Sequence, residues 1–291
     1  RLGKAGMNIT PKQAEAYRND GAVCLRGLVD PGWLPRLAQA IERDMADPGP
    51  LFHNYEVKNG RFHGNSVCWL RHPEFADYVF DSGLPAAAAA LLGARKVNLL
   101  YDQLFIKEPG TDAKTPWHHD HCVWPLRGRQ VISFWLALDR VDASNGRVEF
   151  VRGSHLWDGL FQPHSFSKSA ISYPLDPRFR PMPDIDAARA EHTILTWDLE
   201  PGDVVAFSSR TVHGAGPNLA GGRRRRGYTV RYCGDDVAYD TSYRFMPALN
   251  NPDLAPGDPL DSDLYPVVWR DGHAQPKAVP ANPARFLVPP R

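Results

Sequence analysis

The chain has 291 residues, 43% of them apolar, and its 34 basic and 33 acidic side chains leave a net charge of +1. That length and apolar content can bury a substantial core, and so small a charge excludes a global field drawing the protein to nucleic acid or an anionic membrane, so a small-molecule partner is expected. Four widely spaced cysteines (Cys24, Cys68, Cys122, Cys233), none in a Cys-x-x-Cys pair, exclude a zinc knuckle and a disulfide framework and suit free thiols in a reducing cytosol.

The opening RLGKAGMNIT lacks a signal-peptide apolar stretch, and no apolar run reaches the roughly 18 residues of a membrane span, so a cytoplasmic protein without membrane partners is expected. Thr10-Pro11-x-Gln13 sets an N-cap, a first-turn proline and a capping-box glutamine in register, predicting a helix of about ten residues that ends at Gly21. A short strand, Ala22 to Leu25, follows. Asp30-Pro31 begins a second helix that runs to about Met45 with Leu34, Leu37 and Ile41 on one face, and Ala86 to Leu92, closed by Gly93, is a third.

From Lys96 the texture changes to short runs rich in Val, Ile, Leu, Phe and Tyr. The strand candidates are Val97–Lys107, Val131–Asp139, Val148–Val151, Val204–Ser208 and Tyr228–Cys233, with Asn145-Gly146 the strongest hairpin signal. The expected architecture is mainly β with flanking helices, a double-sheet barrel or jelly roll. Residues 1–291 form one domain in this reading: a helical layer over 10–95, a β core over 96–245 and a proline-rich, extended tail over 246–291. The aperiodic stretch from His155 to Thr193 is long enough to be a lid. Segments His53–Cys68 and Trp157–Pro183 are expected to contribute pocket residues, with His53, Tyr55, Trp157, Phe161 and Phe166 the candidates.

Chemistry concentrates in TPWHHDHCVWP (Thr115 to Pro125) and in His-Gly-x-Gly-x-Asn (His213 to Asn218). If residues 117–121 are extended, alternation places His118 and Asp120 on one face and His119 and His121 on the other. A one-residue slip would present His119 or His121 instead. His213 supplies a third ligand from a glycine-rich turn after the Val204–Ser208 strand. Two imidazoles and one carboxylate are the ligand set of a mononuclear Fe(II) centre that keeps positions open. Arg223 to Arg226 is a run of four arginines entering the Tyr228–Cys233 strand. One of them, with Arg225 the choice and Arg224 and Arg226 its alternatives, is placed to turn inward as a bidentate clamp for a carboxylate. The others suit a solvated loop tip.

These motifs, in order with YDQLFIKEPG (Tyr101 to Gly110), FWLALD, RGSH (Arg152 to His155), GDVVAFSSRTVHGAGPN (Gly202 to Asn218) and RRGYTVRY (Arg225 to Tyr232), resemble the phytanoyl-CoA dioxygenase family of Fe(II)/2-oxoglutarate oxygenases. The resemblance covers roughly residues 10–245. It implies a double-stranded β-helix of jelly-roll, cupin-like type. It also implies that His118, Asp120 and His213 bind Fe(II), that Arg225 binds the distal carboxylate of 2-oxoglutarate, and that Gln103 and Lys107 line the co-substrate pocket. Trp135, Asn145 and Ser154-His155 match family motifs too but suit packing and turns. The implied reaction consumes molecular oxygen and hydroxylates a small molecule while 2-oxoglutarate yields succinate and carbon dioxide. Asp120 distinguishes this from the related halogenases, which lack the carboxylate. One departure is His119, where the family commonly has glutamine. No feature demands a CoA thioester.

Overall fold

A computed structural model describes residues 9–55, 57–163, 175–242 and 246–287. Helix α1 (Pro11–Asp20) forms where the capping box predicts it: Thr10 Oγ1 accepts the Gln13 N–H, Gln13 Oε1 accepts the Thr10 N–H, and Gly21 ends the helix at φ 82°. Helix α2 (Trp33–Ala46) buries Trp33, Leu37, Ala40 and Ile41 along one stripe. Helix α3 (Pro73–Asp81), which the sequence reading did not anticipate, has proline in its first turn and buries Phe75, Tyr78 and Val79. Helix α4 (Leu84–Leu92) starts two residues before the expected Ala86, behind Gly83 and with Pro85 in its first turn, and ends at Gly93. None of the described helices is long and apolar enough to cross a membrane.

The larger sheet runs in the order Ala22–Leu25, Val204–Ser208, Val131–Ala137, Arg225–Cys233, Lys96–Lys107, Val267–Arg270, His273–Ala274, with the Phe52–Tyr55/Phe62–Ser66 hairpin added on the other half of Lys96–Lys107. Its described pairings are all antiparallel. A smaller antiparallel sheet runs Ile194–Thr196, Val148–Val151, His213–Ala215, Thr115–His118. Alternation divides the larger sheet into two faces. Tyr228, Val230 and Tyr232, with Phe134, Leu136, Val204 and Ala206, join the core under the helices, where Tyr228 meets Phe75 and Tyr78 at ring centroid separations of 4.9 and 5.5 Å. Trp135, Ala137, Val205 and Phe207 face the other way and pack with Phe150 of the smaller sheet. This is the mainly β, jelly-roll architecture that the strand pattern predicts.

One expectation needs correction, and two segments carry strands that the pattern does not show. Asn145-Gly146 makes no hairpin, because Val131–Ala137 and Val148–Val151 belong to different sheets and the link crosses between them. Asn145 instead closes a capping box with Asp142, and Gly146 turns at φ 81°, where a Cβ would lie 2.6 Å from Gly216 O. The segment His53–Cys68 carries a hairpin paired to the long strand. The tail contributes a strand to the larger sheet through Val267–Arg270 and sends Leu264, Tyr265 and Val268 into the core. Phe166, Pro289 and Pro290 lie outside the described residues.

Behind the sheet, Asp102 accepts hydrogen bonds from Tyr228 Oη at 2.6 Å and from the Trp69 N–H at 3.2 Å, tying two strands to the turn after Ser66. Burial pushes its carboxyl up to about 7, although both donors pull it down. An unfolded aspartate loses its proton near pH 4, so the stability that proton uptake by Asp102 contributes is complete below about pH 4 and lost as pH rises through about 7. Asp102→Asn, uncharged throughout, is expected to gain stability relative to the wild type between about pH 4 and 7. Urea unfolding of both proteins at about pH 4.5 and about pH 8 checks this, and an unchanged difference between the two conditions contradicts it.

Candidate metal centre

His118 ends one strand of the smaller sheet, and His213 begins its antiparallel neighbour directly opposite. Asp120 comes from the turn that follows, with φ −75° and ψ −29°. The expected extended run through residue 121 therefore stops at His118. Even so, the chain brings the three side chains together, all buried, with one candidate donor atom each and all donors within 4.8 Å of one another. His118 Nδ1 lies 2.8 Å from Pro116 O and His213 Nδ1 lies 2.9 Å from Thr211 O. A carbonyl only accepts, so both Nδ1 atoms carry the proton and both Nε2 lone pairs are left for an ion. Those Nε2 atoms face Asp120 Oδ1 at 3.3 and 3.9 Å.

Electrostatics prepare the same donors. Burial, reinforced by His118, pushes the His213 imidazole down to about 4, so it is neutral near pH 7 as a ligand must be. Burial alone would raise the Asp120 carboxyl, but Arg231 and the two imidazoles outweigh it and hold the group well below the usual carboxylate range. The adjacent histidines are engaged elsewhere. His119 Nε2 accepts the Phe161 N–H at 2.8 Å, and His121 Nδ1 lies 3.0 Å from Ser209 Oγ. Neither joins the triad, so the slipped register does not occur.

Within the strand Arg226 alternates with Arg225, and Arg223 and Arg224 lie before the strand begins. Arg223 pairs with Asp142, Arg224 with Glu42 and Glu108, and Arg226 with Asp139 and Glu42, all outside the barrel. Their charge is compensated within the chain, which leaves no bare cationic cluster for phosphates. Arg225 points inward, 2% exposed, with its guanidinium carbon 5.5 Å from the Trp135 ring centroid. No carboxylate among the described residues forms an ion pair with it, and its buried Nε has no hydrogen-bond partner. Burial pushes its pKa down to about 10, so it stays charged at neutral pH.

Register places Lys107 opposite Arg225, and Gln103 in one cross-strand row with Ser66, Thr229 and Trp135. Gln103 is buried and its Oε1 accepts from Tyr101 Oη at 3.4 Å. The buried Lys107 Nζ donates to Ala113 O at 2.8 Å and Gly216 O at 2.7 Å, which ties the approach to Thr115 to the turn after His213. The hydroxyls of Ser66, Ser133 and Thr229 are buried in the same wall without hydrogen-bond partners among the described residues. Trp135, expected only to pack, forms a face of this wall. Arg231 escaped the sequence reading altogether, although its spacing of six from Arg225 along a strand carries the signal.

The family model described as phytanoyl-CoA dioxygenase matches residues 17–227. A probable phytanoyl-CoA dioxygenase of Caenorhabditis elegans is 24% identical over 80% of this chain and 78% of that protein. The multifunctional dioxygenase prhA of Penicillium brasilianum is 25% identical over 72% of this chain and 68% of its own length. Among solved structures, the non-heme alpha ketoglutarate dependent carbocyclase SnoK from nogalamycin biosynthesis superposes with a TM-score of 0.71 at 23% identity, over 89% of this chain and 96% of that one. The epimerase SnoN, in complex with Fe3+, alpha ketoglutarate and nogalamycin RO, gives 0.69 at 25% identity, over 88% and 97%.

The wall of the site depends on one missing side chain. A Cβ at Gly227 would lie 2.3 Å from Trp135 Cζ2, so the indole occupies the space of the absent methyl. Gly227→Ala is expected to displace the ring that lies beside Arg225 and to cost about 1–3 kcal/mol of stability, as overpacking does. Urea unfolding measures this, and an unchanged midpoint would contradict the packing described.

Proposed function

The chain belongs to the phytanoyl-CoA dioxygenase family, and we propose on that premise that it is an Fe(II)- and 2-oxoglutarate-dependent dioxygenase that hydroxylates a small molecule. The observation that carries this reading is the convergence of two Nε2 atoms and one carboxylate oxygen in the same barrel as a buried arginine with no carboxylate partner among the described residues. His118, Asp120 and His213 would hold the iron. Three protein donors suit a catalytic metal better than a closed structural site, which uses four, and this argues against a non-catalytic metal-binding barrel.

Arg225 would bind the distal carboxylate of 2-oxoglutarate. A buried charge left without a partner costs on the order of 3–5 kcal/mol, and a carboxylate guest removes that cost. Trp135 flanks the same guanidinium, and Gln103 and the unpartnered hydroxyl of Thr229 offer further hydrogen bonds on the wall. Lys107 has its donors directed at two carbonyls, so its contribution is to keep the two ligand-bearing segments in place. When bound, the iron and co-substrate supply the oxidation: molecular oxygen and 2-oxoglutarate give succinate, carbon dioxide and a hydroxylated substrate. The protein needs no nucleophile of its own; it positions, excludes water and balances charge.

Phe161, held by His119 and packed edge-on against Trp157, supports the reading of this stretch as part of a cover over the substrate. The unpaired state of all four cysteines supports a reducing, cytoplasmic setting. Residues 1–291 are read as one oxygenase domain, because the tail lends a strand to the sheet that carries Arg225.

Asp120→Ala is expected to bind iron more weakly and to lose at least about 100-fold of oxygen-dependent succinate formation, the scale of a lost essential group. Iron content and succinate release, measured across a panel of small-molecule substrates, check this. Wild-type protein with stoichiometric iron that never consumes 2-oxoglutarate would instead favour the non-catalytic barrel.

A further inference from the structure

The carboxylate of Asp120 has two oxygens, and the structure gives them different neighbours. Oδ1 faces the Nε2 atoms of His118 and His213 at 3.3 and 3.9 Å. Oδ2 faces Arg231, whose Nε and Nη2 each lie 3.4 Å away and converge on that one atom. Arg231 is itself immobilised. It is 3% exposed, and its guanidinium carbon sits 4.5 Å from the Tyr101 ring centroid and 5.4 Å from that of Trp124. Those rings are locked to each other by the Trp124 Nε1–H donating to Tyr101 Oη at 3.1 Å. Arg231 therefore approaches Asp120 from a rigid aromatic slot, six positions along the strand from Arg225 and on the same face.

Resting on the metal reading above, we propose that Arg231 is a positioning residue that holds Asp120 to a single metal-facing oxygen. A carboxylate free to rotate about its last bond can present both oxygens to one ion. The second oxygen would then occupy a position that a chelating keto acid needs. Arg231 prevents this by occupying Oδ2 with two converging donors, a geometry that a flexible lysine ammonium does not reproduce. Its Nη1 stays buried without a hydrogen-bond partner among the described residues, so the guanidinium is not placed there to satisfy its own donors. Partners of this kind, one shell outside the ligands, commonly change metal-site affinity 10- to 100-fold.

Co(II), whose visible spectrum reports coordination, is the probe. It is added anaerobically to the metal-free wild type and to the Arg231→Gln and Arg231→Lys variants, followed by 2-oxoglutarate. For Arg231→Gln, Co(II) binding is retained, the Co(II) spectrum is altered before any 2-oxoglutarate is present, and the Kd for 2-oxoglutarate rises about tenfold or more. Arg231→Lys, which keeps the charge but not the paired donors, falls between the two and keeps the test usable if the glutamine variant folds poorly. A variant spectrum identical to the wild type before 2-oxoglutarate is added overturns the role of Arg231 while leaving the metal site intact. A wild type that binds no Co(II) at the triad overturns the metal reading itself.

Discussion

Alternation along the Arg225–Cys233 strand is the constraint on which the rest of the molecule depends. This strand is paired on both sides through nearly its whole length, with Lys96–Lys107 on one edge and Val131–Ala137 on the other. Its odd positions, Arg225, Gly227, Thr229 and Arg231, build the wall of the site. Tyr228, Val230 and Tyr232 fill the core beneath the helices. Shifting the register by one residue would bury the apolar set in the site and drive two guanidiniums into the helical layer. Helix packing and the catalytic wall are thus two consequences of one pairing register, and stability and function are specified together.

The smaller sheet answers with the opposite charge balance. Two of its neighbouring strands and the turn that follows supply two imidazoles and Asp120, and the imidazole Nδ1 protons are committed to backbone carbonyls, which fixes the ring orientations. Across the barrel Arg231 answers the Asp120 charge, whereas Arg225 forms no ion pair among the described residues. On the proposed reading a carboxylate guest would remove the cost of burying that guanidinium. Burial, with Arg225 directly across the strand pair, lowers the pKa of the Lys107 amine well below the usual lysine range, and that amine donates to the segments that bracket the triad.

Much of this was legible in the residues. Thr10 and Gln13 announced α1 because capping is a local code, and residue type and spacing singled out His118, Asp120 and His213, which the fold does bring together. Asn145-Gly146 misled because the same pair that suits a hairpin also suits a capping box followed by a left-handed turn, and only the sheet partners decide between them. Asp120 was placed by an extended-strand argument, but the chain turns after His118 and delivers the carboxylate by a different path. The hairpin at Phe52–Ser66 and the tail strand at Val267–Arg270 were hidden because their pairing partner, Lys96–Lys107, is distant in sequence. Arg231 was missed because an arginine embedded in YTVRY looks like an ordinary strand residue until the faces are assigned.

The central claim is that the triad and Arg225 form one site for Fe(II) and 2-oxoglutarate. The most direct measurement is an anaerobic absorption titration of the metal-free protein with Fe(II) and then 2-oxoglutarate, repeated with Arg225→Ala. The account predicts a visible charge-transfer band that requires both additions in the wild type, and about 100-fold or more 2-oxoglutarate to reach it in the variant, in line with the loss of a buried ion-pair partner. No band in the wild type, or the same 2-oxoglutarate dependence in both proteins, would contradict it.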